Sequence, residues 1–200
     1  MHTARLTGTT LARQRFIVLL GFCLLSPVSL AQLEQEMAGS WVINEDLSDN
    51  TDRQVEASLK AAGQKIHRSI FDRRKDRYRG GPPEQELYDH ISYDKELTLQ
   101  LQRPAFTFTY DDGFVRPVYT DNRTRSVSLS GIEEVKDFSF AHFEDGKLLV
   151  EGRPRDGGFT QESYALINDG TQLQADLYIQ PDSFQEPIEI HRVYDRKPSE

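Results

Sequence analysis

Apolar side chains occupy every second position of Glu96-Leu97-Thr98-Leu99-Gln100-Leu101-Gln102, and aromatic rings do the same in Phe106-Thr107-Phe108-Thr109-Tyr110. Successive side chains of a strand point to opposite faces, so each run predicts a strand with one buried and one wet side. The period of two returns at Phe138 and Phe140 and again from Leu173 to Ile179. These runs predict that residues 96–200 form a sheet.

Turn signals separate the predicted strands. They are Asp111-Asp112-Gly113, Thr120-Asp121-Asn122, Glu144-Asp145-Gly146, Asp156-Gly157-Gly158 and Asn168-Asp169-Gly170. Asn, Asp and Gly tolerate the positive φ angles of tight hairpins. Their spacing predicts an antiparallel meander of about eight to nine strands, either closed as a barrel or curled as a cupped sheet. The predicted fold class is therefore mainly β, of α+β type.

The N-terminal third has a different pattern. Trp41-Val42-Ile43 predicts a short strand, and Ser48, Asp49 and Asn50 are good helix caps. An apolar stripe with steps of three and four residues predicts one long helix from Asp52 to about Arg74. The stripe consists of Val55, Leu59, Ala62, Ile66 and Ile70. Gly80-Gly81-Pro82-Pro83 predicts a mobile loop, and Leu87 and Ile91 predict a short second helix.

Residues 1–31 have the pattern of a cleaved secretory signal. Three arginines (Arg5, Arg13 and Arg15) precede an apolar run from Phe16 to Leu25. Small residues at Ser29 and Ala31 then predict cleavage between Ala31 and Gln32. The apolar run is too short for a bilayer of roughly 30 Å. We therefore expect a periplasmic or secreted protein.

The net charge of the mature chain limits the classes of partner that it is expected to bind. Three of the 24 basic residues precede Gln32, which leaves 21 against 32 acidic residues and a net charge of −11. Such a chain is repelled by phosphate backbones, so we expect no nucleic-acid partner. Cys23, the single cysteine, lies within the signal. The mature protein would therefore have neither disulfides nor a cysteine nucleophile.

The domain organisation follows from these segments. Residues 1–31 form the signal, 32–95 the first strand with the helical segment and its loop, and 96–200 the β meander. We expect the meander to pack with residues 37–95 as one domain.

A basic cluster stands out in this acidic chain. It comprises Arg68, Arg73, Arg74, Lys75, Arg77 and Arg79. It could contact an anionic membrane surface or an acidic partner. Alternatively, these cations complement the dipole at a helix C-terminus and stay solvated.

Chemical motifs are missing from the sequence. His67, His90, His142 and His191 lack metal-ligand spacing, although the fold could bring His142 and His191 together. The pair Asp111 and Asp112 is typical of a turn. There is no nucleophile elbow, P-loop or dinucleotide fingerprint. We therefore predict neither a catalytic residue, a metal site nor a cofactor, and the chain is not expected to be an enzyme.

Trp41 is the single tryptophan and is expected to anchor the core. Arg192 and Arg196 lie on the last predicted strand. A guanidinium can stack on an indole for roughly 0.5–2 kcal/mol. We predict that Arg192 or Arg196 packs near Trp41 and joins the first strand to the last.

Several motifs resemble those of one family. They are Gly39-Ser40-Trp41-Val42-Ile43-Asn44, Tyr119-Thr120-Asp121, Glu162-Ser163-Tyr164-Ala165-Leu166 and Arg192-Val193-Tyr194-Asp195-Arg196. Over most of residues 37–197 the chain is similar to uncharacterised exported bacterial proteins of the lipocalin-like type, which share the calycin Gly-x-Trp motif. The resemblance implies a lipocalin-like β-barrel and an envelope location, and it carries no activity. The helical insertion after the first strand departs from ordinary lipocalins.

Two functional hypotheses remain. In the first, a non-catalytic periplasmic protein binds a small apolar ligand or lipid inside the barrel. Many large rings lie on the predicted strands and could fill that interior. In the second, an envelope interaction or scaffold protein binds another envelope protein through its basic helical surface.

Overall fold

The computed structural model describes residues 30–63, 88, 90–121, 125–127, 137–154, 157–182 and 184–198. The described elements are, in chain order, α1 (Leu30–Met37), β1 (Gly39–Ile43), α2 (Thr51–Ala61), β2 (Glu96–Gln102), β3 (Ala105–Tyr110), β4 (Val115–Tyr119), β5 (Arg125–Val127), β6 (Asp137–Glu144), β7 (Lys147–Arg153), β8 (Phe159–Ile167), β9 (Gln172–Gln180) and β10 (Ile188–Arg196). Residues 88 and 90–93 are also helical.

The strands form one antiparallel sheet in the order β4-β3-β2-β1-β10-β9-β8-β7-β6-β5. The sheet curls into a nearly closed barrel, since the edge strand β4 lies beside β6. The mainly β fold and the antiparallel meander are thus confirmed. The described residues contain ten strands where eight or nine are expected, and two of the shortest are the edge strands β4 and β5. Pro117 fits an edge strand because it cannot donate to a ladder.

The hairpin turns are formed by the residues that the sequence indicates. Asp145 and Asn168 have φ angles of 48° and 49°, and each begins a tight turn that a glycine completes. The register set by these turns directs the apolar side of every long strand into the barrel. Along β9, for example, each residue from Leu173 to Ile179 that lies on the apolar side is buried. The core therefore occupies the barrel interior.

The helix α2 begins where the sequence predicts and ends earlier. Asn50 caps it, because its side-chain oxygen accepts a hydrogen bond from the backbone N–H of Arg53 at 3.1 Å. Gly63 has a φ angle of 71°, which ends a helix after Ala61. The continuation to Arg74 therefore does not pass through Gly63, and Ile66 and Ile70 lie outside the described residues. Within the described part of the chain, no helix has the length and apolarity needed to cross a membrane.

Candidate functional site

Arg196 is the arginine that stacks on Trp41. The register pairs Trp41 with Arg196 across β1 and β10, and the guanidinium carbon lies 4.1 Å from the centroid of the indole. Arg192 instead lies 5.6 Å from the centroid of Tyr194. The predicted contact between the first and last strands therefore involves Arg196.

The same guanidinium also binds three backbone carbonyl groups. Nη1 donates to Ala38 at 3.2 Å, Nη2 to Glu36 at 2.5 Å and Nε to Gly170 at 2.9 Å. Two of these acceptors lie at the C-terminal end of α1, whose carbonyl groups lack partners within the helix. Arg196 thus fixes α1 against β1 and the β8–β9 turn.

A second arginine lies inside the barrel with a carboxylate partner. Arg116 and Glu162 are fully buried and share two hydrogen bonds, at 2.9 and 2.7 Å. Thr160 and Tyr164 donate to the same carboxylate at 3.0 and 2.7 Å. Burial raises the pKa of the Tyr164 phenol, and the neighbouring Glu162 carboxylate raises it further. The Glu162 carboxylate thus accepts four hydrogen bonds, from Arg116, Thr160 and Tyr164.

Aromatic rings fill the space around this pair. Phe108 lies beside Arg116, and its ring centroid is 5.1 Å from that of Tyr164 on the opposite wall. Phe106 meets Phe143 at 5.9 Å. Since interiors of small barrels are either filled or ligand-holding, this part of the barrel is a packed core.

An apolar cavity of about 220 Å³ remains at the end of the barrel that α2 covers. Val55 and Leu59 of α2 form its roof, and Ile179, Ile188 and Ile190 form its floor. The rest of its lining comprises Tyr88, Ser92, Tyr93, Pro181 and Phe184.

The roof is attached by polar contacts at both ends of α2. The Thr51 hydroxyl donates to the carbonyl oxygen of Ser92 at 2.5 Å, and the Ser58 hydroxyl donates to that of Glu186 at 2.8 Å. These bonds hold the apolar face of α2 over the floor strands. Two members of the apolar stripe that predicts the helix, Val55 and Leu59, therefore also form the roof of the cavity.

Arg192 lies one inward-facing position beyond Ile190 on β10. It is 5% exposed, and its Nε and Nη1 atoms have no hydrogen-bond partner among the described residues. The side chain lines a polar cleft of about 400 Å³. Tyr93 lines both this cleft and the apolar cavity, so its side chain lies between the two spaces. A buried cation and an apolar space thus lie side by side.

A larger groove of about 740 Å³ crosses the outer face of β6 to β10. His142 and His191 both line it, but they lie at opposite ends, on β6 and β10. His191 is bound to Asp176 at 2.6 Å, and His142 lies 3.6 Å from Glu144. The fold therefore brings these two histidines to one surface without making them neighbours.

The remaining predicted residues have different outcomes. His90 lies beside Asp94 and Asp112, a grouping that the sequence did not predict. Burial raises the pKa of Asp94, and the carboxylates of Asp111 and Asp112 add to this. His67 lies outside the described residues, as does the whole basic cluster. That cluster comprises Arg68, Arg73, Arg74, Lys75, Arg77 and Arg79.

Sequence reasoning missed Arg116 and the role of Glu162. The sequence signal for both residues was their position in the alternating pattern of a strand. Arg116 lies on the same strand face as Val118, and Glu162 lies on the same face as Tyr164. A charged residue on the apolar side of an alternating strand indicates a buried polar partner.

Comparisons with known proteins give limited likenesses. No family model matches the chain, and no curated protein matches it. Among solved structures, apo lipid binding protein 8 of Caenorhabditis elegans is 14% identical, with a TM-score of 0.49, over 85% of this chain and 99% of its own. Fatty-acid-binding protein 1 of Echinococcus granulosus is 11% identical, with a TM-score of 0.47, over 82% and 99%. Human cRBP IV is 10% identical, with a TM-score of 0.46, over 80% and 98%. These scores are too low for any property of those proteins to be carried over to this chain.

Proposed function

We propose that the protein binds a small amphipathic molecule, with its apolar part in the cavity beneath α2 and one anionic group at Arg192. The observation that carries the proposal is the position of Arg192: a buried guanidinium with two N–H groups lacking partners in the described structure, next to an apolar cavity. Burying a charge without a partner is costly. An anionic ligand group would supply the missing partner.

The apolar part of the ligand must be short. The cavity of about 220 Å³ is smaller than the roughly 300–1,000 Å³ of typical ligand sites. Each buried methylene stabilises a complex by about 0.8 kcal/mol. Affinity should therefore rise with chain length only until the cavity is full.

The proposed compartment is the periplasm or the exterior of the cell. The support is the signal pattern of residues 1–31 and the predicted cleavage after Ala31. The alternative function, an envelope scaffold acting through the basic cluster, remains a prediction because that cluster lies outside the described residues.

A chain-length series tests the apolar half of the proposal. Affinities of hexanoate, octanoate and dodecanoate are measured by isothermal titration calorimetry. From hexanoate to octanoate, two methylenes should strengthen binding by about 14-fold. Dodecanoate should gain much less per methylene, because its chain exceeds the cavity.

A variant that fills the cavity tests where the ligand binds, and a second variant with the same ring on the surface is its control. Leu59→Trp places an indole in the cavity and should abolish binding of octanoate. Leu47→Trp adds the same ring at a side chain that is 52% exposed and should leave binding unchanged. If Leu59→Trp folds and binds octanoate as the parent does, the ligand does not occupy this cavity.

A further inference from the structure

Three ligand-type side chains meet where residues 90–94 pack against the β3–β4 turn. The Nδ1 atom of His90 lies 3.3 Å from Oδ2 of Asp112 and 3.6 Å from Oδ2 of Asp94. All three atoms lie within 4.8 Å of one another. This site is separate from the cavity beneath α2, whose lining includes none of these residues.

The spacing of these atoms fits a coordination shell. Zinc binds imidazole nitrogen and carboxylate oxygen at about 2.0–2.2 Å, so neighbouring ligand atoms at the tetrahedral angle lie roughly 3.3–3.6 Å apart. The two separations from Nδ1 fall in this interval.

The imidazole is also held in a fixed orientation. Its ring stacks on Phe114 with centroids 3.9 Å apart and planes 3° from parallel. His90 is 8% exposed and Asp94 only 3%, whereas half of the Asp112 side chain is accessible. The site therefore has two preset ligands and an open side through which an ion can enter.

The charge of the surroundings favours a cation. Asp111 adjoins Asp112, so three carboxylates lie near one imidazole. An imidazole among carboxylates is a typical ligand set for divalent zinc, manganese or iron, whereas calcium takes oxygen ligands only.

We propose that His90, Asp94 and Asp112 bind one divalent transition-metal ion, best fitted by zinc. Water would complete the coordination, because the protein supplies three ligands. The ion joins helical residues 90–93 to the β3–β4 turn. Metal binding should therefore raise the thermal stability of the domain.

The experiment uses the full chain, treated with a chelator, dialysed and titrated with zinc chloride by calorimetry. We expect one ion per chain and a higher melting temperature with zinc than without it. Asp112→Asn and His90→Gln should each weaken zinc binding on the order of ten- to a hundredfold or more. Calcium chloride should bind far more weakly than zinc.

His142→Gln is the matched control, since it removes a histidine that also lies near a carboxylate, Glu144. It should leave zinc affinity unchanged. Asp112 is half-exposed, so Asp112→Asn should fold even if His90→Gln does not. The proposal is overturned if the parent binds no zinc, if Asp112→Asn binds it as tightly as the parent, or if calcium binds as tightly as zinc.

Discussion

Two arginines in the described part of the barrel, Arg116 and Arg192, are buried in contrasting surroundings. Arg116 is fully buried and shares two hydrogen bonds with Glu162, within a packed aromatic core. Arg192 is 5% exposed, and two of its donors have no partner in the described structure beside an apolar cavity. The first arginine has a carboxylate partner inside the protein, although its Nε atom has no hydrogen-bond partner in the described structure. The second leaves a position that a ligand can complete.

We therefore expect Arg116 to contribute to the stability of the fold and Arg192 to contribute to ligand binding. Removing one partner of a buried pair leaves an uncompensated charge, whereas removing a charge that has no carboxylate partner leaves no buried anion behind. The same substitution, Arg→Met, keeps a long unbranched side chain and can be made at each arginine. The resulting losses in the free energy of unfolding should therefore rank the arginines by how many of their partners the protein itself supplies.

Arg116→Met should have the largest effect on stability. It leaves the Glu162 carboxylate buried without a cation, so the free energy of unfolding should fall by about 3–5 kcal/mol. Urea denaturation followed by tryptophan fluorescence measures this change. The double variant Arg116→Met/Glu162→Leu should recover much of the loss. A loss below about 1 kcal/mol for Arg116→Met would show that the pair is not a buried ion pair.

Arg196→Met should have an intermediate effect. It removes the stack on Trp41, worth roughly 0.5–2 kcal/mol, together with hydrogen bonds to three carbonyl groups. We expect a loss of about 2 kcal/mol on urea denaturation. Arg153→Met, at an exposed arginine on β7, is the control and should change stability by less than about 0.5 kcal/mol. Equal stability of the two variants would remove the role of Arg196 in joining β1 to β10.

Arg192→Met should have the smallest effect. Replacing a buried charge that lacks a carboxylate partner with an apolar side chain is often neutral or stabilising. We expect a change of less than about 1 kcal/mol in the free energy of unfolding. A loss as large as that of Arg116→Met would mean that Arg192 is satisfied within the protein and has no ligand to bind.

The strands and turns could be predicted because their signals are local. Alternation over seven residues defines β2, and Asn-Asp-Gly residues at 168–170 define a tight turn. The long helix was predicted too far because an apolar stripe continues past Gly63, while the positive φ angle at that glycine depends on the tertiary fold.

The site could be predicted only in part because it depends on strand register. Arg192 and Arg196 lie on the same face of β10, and either could meet Trp41. The register places Arg196 opposite Trp41 and leaves Arg192 near the cleft. The pairing of Arg116 with Glu162 joins residues 46 positions apart, and His90 meets Asp112 through the packing of a helical segment on a turn. No local pattern in the sequence contains these contacts.

The most direct test compares octanoate with octanol on the parent protein and on Arg192→Met by calorimetry. The two probes have the same chain and differ in charge. We predict that the parent binds octanoate more tightly than octanol, and that Arg192→Met loses about tenfold or more in octanoate affinity, with octanol affinity unchanged. If a folded Arg192→Met variant binds octanoate as tightly as the parent, Arg192 does not receive the anionic group.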